Sequence, residues 1–164
     1  MKHLLSNLAD SLANLSAGPD ETVKLFVHIP KTAGTSFRIA AESRFGASRV
    51  LRDYGEESDA TSDAIRTEVY EREEAEGILR AIRKQNAVLV SGHYDVPKYG
   101  RLLGLDNTVS IFRDPVTQVI SHYRHAVRHY GYARDLMSFV QQQWIRNVQY
   151  QKFQTPRRTS QRTN

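Results

Sequence analysis

Apolar residues fall into a few short runs, and three of these runs end on residues that carry chemistry. Between Glu21 and Ile29 the chain reads ThrValLysLeuPheValHisIle, a β-branched and aromatic run closed by Pro30, which predicts a buried strand. The loop LysThrAlaGlyThrSerPhe, Lys31 to Phe37, follows; helical spacing then continues to about Phe45, with Gly46 where a left-handed cap would sit. Ser48 to Asp53 predicts a second strand. Ala87 to Val90 predicts another, closing on SerGlyHisTyrAsp, and Thr108 to Phe112 a further one, closing on ArgAspPro. Ile65, Val69, Ile78, Leu79 and Ile82 keep helical spacing over about Ser62 to Lys84 and predict one long helix with an acidic face, although Gly77 lies inside it.

Asp114 as N-cap and Pro115 at the first helical position predict a helix to about His129. Leu136, Phe139, Val140, Trp144 and Val148 share one side of a predicted helix from Arg134 to about Phe153. Leu4, Leu5, Leu8, Leu12 and Leu15 predict an amphipathic leading helix within residues 1–20, and residues 154–164 read as a basic, disordered tail. Strands alternating with helices imply parallel pairing, so residues 21–153 are expected to form one α/β domain of three layers, a central parallel sheet flanked by helices.

Composition narrows this picture only at its edges. The 164 residues are 40% hydrophobic and 25% charged, a globular balance, and the absence of cysteine excludes a disulfide scaffold, thiolate metal sites and a thiol nucleophile. No stretch approaches the roughly 18 apolar residues of a membrane span. Asn7, Asp10, Ser11 and Asn14 interrupt the leucines of the first segment too early for a signal peptide, so a cytoplasmic protein is expected. Charge is unevenly spread. Residues 53–76 carry ten acids against Arg66 and Arg72, whereas residues 77–164 carry fourteen Lys or Arg against four acids. A field of that sign suits an anionic ligand such as a nucleotide, an acidic glycan or nucleic acid, or else is a solvated basic surface.

Two loops sharpen the expectation. Lys31 to Ser36 sit between a strand and a helix N-terminus, where free backbone N–H groups and the positive end of the helix dipole converge. Gly34 permits close backbone approach, Lys31 supplies a mobile charge, and Thr32, Thr35 and Ser36 add hydroxyls, all suited to phosphate or sulfate oxygens. The pattern is not a Walker A loop, because the lysine comes first and only one glycine is present. ArgAspPro repeats the geometry: Arg113 lies at a strand's carboxyl edge, where open parallel sheets bind ligands, and Ser121 follows on the helix.

HisIleProLysThrAlaGlyThrSerPhe resembles the 5′-phosphosulfate loop of sulfotransferases that use 3′-phosphoadenosine 5′-phosphosulfate, in the carbohydrate branch that includes heparan sulfate 2-O-sulfotransferase. PheArgAspProValThrGlnValIleSerHisTyrArgHis resembles that family's 3′-phosphate strand and helix, and ValSerGlyHisTyrAspValProLysTyrGly the segment that brings a histidine base to the acceptor hydroxyl. The resemblance runs from about Lys24 to about Phe153 and implies a P-loop-like fold. It implies that Lys31 neutralises the leaving oxygen, that Thr32, Ala33, Gly34, Thr35 and Ser36 cradle the 5′-phosphate, that Arg113 and Ser121 hold the 3′-phosphate, and that His93 takes the acceptor's proton. The sulfate donor is then the co-substrate, a carbohydrate hydroxyl the acceptor, and no metal is needed.

The chain departs from the family pattern at Gln118, where a second arginine is usual. It also departs after Phe153, where family members continue through further helices and a segment over the adenosine. A truncated anion-binding module without catalysis and a magnesium-dependent nucleotide kinase are the alternatives. His122, His125 and His129 share one helical face, but no carboxylate or cysteine accompanies them as a metal ligand in sequence. Tyr123, Tyr130 and Tyr132 near basic residues read as packing beneath the sheet or lining an acceptor cleft, in preference to stacking on nucleic-acid bases.

Overall fold

The computed structural model describes residues 22–74 and 76–154; the predicted leading helix and all of the predicted tail but residue 154 lie outside them. The fold is α/β. Its sheet is built from β1 (Lys24–Val27), β2 (Val50–Asp53), β3 (Leu89–Gly92) and β4 (Thr108–Ser110), all parallel, in the order β2-β3-β1-β4. Seven helices accompany it among the described residues: α1 (Gly34–Phe45), α2 (Asp63–Ile65), α3 (Gly77–Gln85), α4 (Val96–Leu103), α5 (Pro115–Tyr130), α6 (Leu136–Val140) and α7 (Val148–Gln151). Among the described residues no helix is long and apolar enough to cross a membrane.

Alternation along the strands sorts the core into two halves. Leu25, Val27, Leu51 and Val90 turn to one face, where Ile65, Ile78, Ala81 and Tyr99 of α2, α3 and α4 cover them. Phe26, Val50 and Leu89 turn to the other, against Phe37 and Ala41 of α1, with the Phe26 and Phe37 rings stacked at 4.1 Å. Leu25, Phe26 and Val27 are fully buried, each such side chain contributing about 1.5–3 kcal/mol. Cover on both faces is what a parallel sheet requires.

Register then fixes where the strands stop. Val27 stands opposite Gly92 on one side and Ser110 on the other, and Gly92 stands opposite Asp53. Four strands therefore end on nearly one line, and the residues that follow them, His28, Tyr54, His93 and the Arg113 turn, gather along one carboxyl edge. A Cβ at Gly92 would lie 1.7 Å from the Asp53 carbonyl oxygen, so only glycine lets β2 and β3 converge there.

Two expected helices need correction. The helix over Ser62 to Lys84 is two segments: α2 runs into a wide π-helical turn at Arg66–Glu71, and the chain turns through Glu73, at positive φ, before α3 begins. Gly77 is the reason, since its bare backbone backs onto Glu68, whose carbonyl oxygen would be 1.9 Å from a Cβ. The helix over Arg134 to Phe153 is likewise broken. Ile145 is 3% exposed while Trp144 is 52% exposed, a burial that continuous helical phase with Val140 and Val148 cannot produce, and the polar Gln141–Gln143 turn resets it. Gly46 does cap α1 at positive φ, its N–H donating to the Glu42 carbonyl at 2.9 Å, with ψ 137° extended rather than helical. Finally, α4 has no counterpart in the sequence reading, although Pro97 in its first turn costs it no hydrogen bond.

Asp53 ties β2 to α4. Its carboxylate accepts from Lys98 Nζ at 2.7 Å, Tyr99 Oη at 2.6 Å and Tyr70 Oη at 2.7 Å. Burial alone would raise its pKa; these donors outweigh burial and hold it below the ordinary 3.8. Asp53→Ala should lower the free energy of unfolding by about 3–5 kcal/mol in chemical denaturation, because Lys98 and two tyrosines lose their acceptor. The carboxylate's contribution is complete above pH 3.8 and is lost as pH falls through the lower folded value, so Asp53→Asn should flatten the acid side of the stability curve.

Candidate functional site at the carboxyl edge of the sheet

The Lys31 loop is held from below. Lys31 and Ala33 both adopt left-handed backbone, at φ 65° and 73°, conformations that cost an L-residue about 1–2 kcal/mol each. Two side chains offset that cost. Thr32, buried, donates its hydroxyl to the Ile29 carbonyl at 2.9 Å, and Gln118, 1% exposed, donates from Nε2 to the Pro30 carbonyl at 2.9 Å. Gln118, noted in the sequence only as a departure, is thus the strut between α5 and the loop. Two positive-φ residues directly ahead of the N-terminus of α1 are the kind of backbone from which an anion-binding concavity is made.

Above the loop lies a cleft of about 510 Å³ whose lining includes Lys31, Gly34, Thr35, His93, Arg113 and Ser121. Arg113 Nη1 reaches the Lys31 carbonyl at 3.4 Å, and the Arg113 backbone is pinned by Gln149, which accepts from its N–H at 3.0 Å and donates to its C=O at 2.9 Å. A basic annex of about 320 Å³ shares Lys31, Arg113 and Ser121 and extends along α5 past Arg124 and Arg128. On the far side of His93 opens a second cleft, about 660 Å³, whose lining includes Tyr54, Tyr70, Lys98, Arg101 and Lys152. His93 belongs to both.

The position of His93 is over-determined. Its backbone N–H donates to the Asp53 carbonyl at 2.9 Å, and its carbonyl accepts from Lys152 Nζ at 2.8 Å. Its Nδ1 lies 2.6 Å from the His28 carbonyl oxygen. A carbonyl can only accept, so Nδ1 carries the hydrogen and Nε2 keeps a free lone pair. Burial, followed by the Lys152 charge, pushes the His93 pKa below 6.5 against the opposing pull of the His28 carbonyl bond, so the ring is neutral at pH 7. His28 lies against it, ring centroids 4.4 Å apart, and burial with the nearby positive charges lowers its pKa to about 3.

Of the sequence-predicted residues, Lys31, Ala33, Gly34, Thr35, His93, Arg113 and Ser121 meet at the first cleft. Thr32 does not offer its hydroxyl, which is committed to Ile29, and Ser36 is exposed in the first turn of α1 outside the lining. Tyr123 and Tyr132 pack neither beneath the sheet nor along a cleft; they surround Phe139 between α5 and α6. Tyr130 lines the first cleft at its rim. His122 turns edge-on to Phe139 and Trp144, His125 pairs its ring with His129, and His122 and His125 both line the first cleft. The sequence reading missed His28, Tyr54, Tyr70, Lys98 and Lys152. A histidine closing a buried strand was the available signal for His28; the others are united only by the fold.

Comparison with family models, curated proteins and solved structures finds no match to this chain. The site stands on its own geometry. In a proton NMR titration of the ligand-free protein, the His93 ring should titrate below pH 6.5 and the His28 ring should stay neutral to about pH 3. Ordinary imidazole titration of either would mean that its ring is solvated rather than packed in this pair.

Proposed function

We propose that the chain is a sulfotransferase of P-loop-like fold that moves a sulfuryl group from 3′-phosphoadenosine 5′-phosphosulfate to a hydroxyl, in a carbohydrate acceptor. One observation carries the reading: the two cationic loops open onto one cleft, and between them stands His93, the one imidazole among the described residues that lines both clefts. The resemblance of three sequence segments, in order, supports the same assignment.

In this reading the donor's 5′-phosphate rests on the amides of Ala33 to Thr35, and Arg113 with Ser121 takes the 3′-phosphate. Thr32 serves through its backbone, since its hydroxyl holds the loop. The acceptor lies in the tyrosine-rich cleft. Its oxygen attacks sulfur in line, the bond from sulfur to the 5′-phosphate oxygen breaks, and the acceptor proton passes to His93 Nε2. Charge gathers on the departing phosphate oxygen, where the Lys31 ammonium stabilises it. Neutral His93 suits the base role because it begins unprotonated at working pH.

The product 3′,5′-bisphosphate should raise the melting temperature more than AMP or magnesium ATP does, and Lys31→Ala or Arg113→Ala should remove the difference; equal shifts for all three nucleotides would leave no 3′-phosphate site. His93→Ala should keep the shift while lowering sulfuryl transfer to a desulfated glycosaminoglycan about 10²–10⁴-fold. Loss of both would make His93 a structural residue.

A further inference from the structure

His28 is a group at this edge that the proposed mechanism leaves without a task. It closes β1, is 6% exposed, and lines the first cleft. The first turn of α1 crosses directly over it: a Cβ at Gly34 would lie 2.0 Å from His28 Cδ2 and 2.4 Å from Nε2. Glycine at position 34 therefore has a second duty besides baring the loop amides. It lets an imidazole sit immediately beneath them.

The two ring nitrogens have different surroundings. Nδ1 is 3.0 Å from Tyr54 Oη, whereas Nε2 has no hydrogen-bond partner among the described residues. No bond ties Nε2, and this edge of the ring is open to the first cleft. The Ser91 hydroxyl and the Arg38 guanidinium, the latter fixed by two bonds to Glu42 at 2.7 and 2.8 Å, both bear on the Tyr54 hydroxyl and draw its lone pairs. The Tyr54 proton is then directed at His28 Nδ1, and the hydrogen of the neutral ring resides on Nε2. Burial first, then His93, Arg38 and Lys31, disfavour the charged ring, and the two fixed cations make an anion the fitting companion for the free N–H.

We propose that His28 is a donor-binding residue whose Nε2–H hydrogen-bonds a sulfuryl oxygen of the nucleotide sulfate, at the point where the Gly34 backbone, the His28 ring and the His93 ring meet. The proposal rests on the sulfotransferase reading and adds to it a contact that the departing bisphosphate lacks. The same residue works through its backbone as well, since its carbonyl sets the His93 tautomer. Side-chain substitution removes the first role and leaves the second. A neutral imidazole holds the sulfuryl oxygens without drawing off negative charge by proton transfer, and because it is buried it needs no reordering as the group moves.

Affinity separates this contact from a packing role without any acceptor. In titration calorimetry, His28→Phe, which keeps an aromatic ring against His93, should weaken binding of 3′-phosphoadenosine 5′-phosphosulfate about 10–100-fold while leaving the 3′,5′-bisphosphate within about twofold of wild type. His28→Gln, whose amide nitrogen falls near the position of Nε2, should recover most of the loss. Nitrogen-15 NMR of the wild-type ligand-free ring should show Nε2 protonated and Nδ1 not. Equal weakening of both nucleotides, no weakening of either, or a protonated Nδ1 overturns the proposal while the transferase reading stands. A wild-type chain that binds neither nucleotide overturns both.

Discussion

The site depends on one constraint, the common stopping line of four parallel strands. Parallel ladders hold their register by evenly spaced bonds, and here Val27, Asp53, Gly92 and Ser110 fall on adjacent rungs. Whatever follows each strand must emerge at one edge. A slip of one residue in β3 would turn Val90 out of its core half and carry His93 to the opposite face, so the hydrophobic alternation that protects the core also protects the position of His93. Gly92 adds the last restriction, because the backbones of β2 and β3 approach too closely for any side chain.

Electrostatics at this edge is a contest between solvent exclusion and charge. The first cleft gathers Lys31 and Arg113 with no carboxylate in its lining, a field that draws anions. Four imidazoles, His28, His93, His122 and His125, stand in that field, and burial is the first cause that lowers the pKa of each. The acidic stretch of the sequence, which looks like a counterweight to the basic half, spends itself elsewhere. Glu68 gathers Arg72, Arg80 and Lys84, and Asp53 gathers Lys98, so these acids organise the helices around the second cleft and leave the first uncompensated.

Much of this was legible in sequence because local chemistry and global fold agree there. The β1 run, the Lys31 loop and the Asp114–Pro115 cap are each specified by adjacent residues, and Asp114 does accept from the Thr117 N–H at 2.8 Å. The segments around Gly77 and Gln141 were misread because apolar spacing is blind to a turn that restores the same periodicity after a break. Ile65 and Ile78 enter one core from two segments just as they would from one helix. The partners of His93 were illegible for a different reason. Asp53, His93 and Lys152 are joined by backbone atoms, and a carbonyl oxygen offers no signature in the order of side chains. Thr32 shows the converse: its residue type fitted phosphate, yet the loop needed the hydroxyl for itself.

Lys152 gives the molecule an unexpected dependence. Its ammonium spans the His93 carbonyl and the Asp95 carboxylate, and its own carbonyl receives the Val96 N–H, so the turn bearing the imidazole is stapled by a residue 59 positions downstream. That staple hangs on the short helix α7, far from the thick centre of the sheet. Gentle warming that frays α7 while the strands hold would loosen the imidazole first, well before the sheet melted.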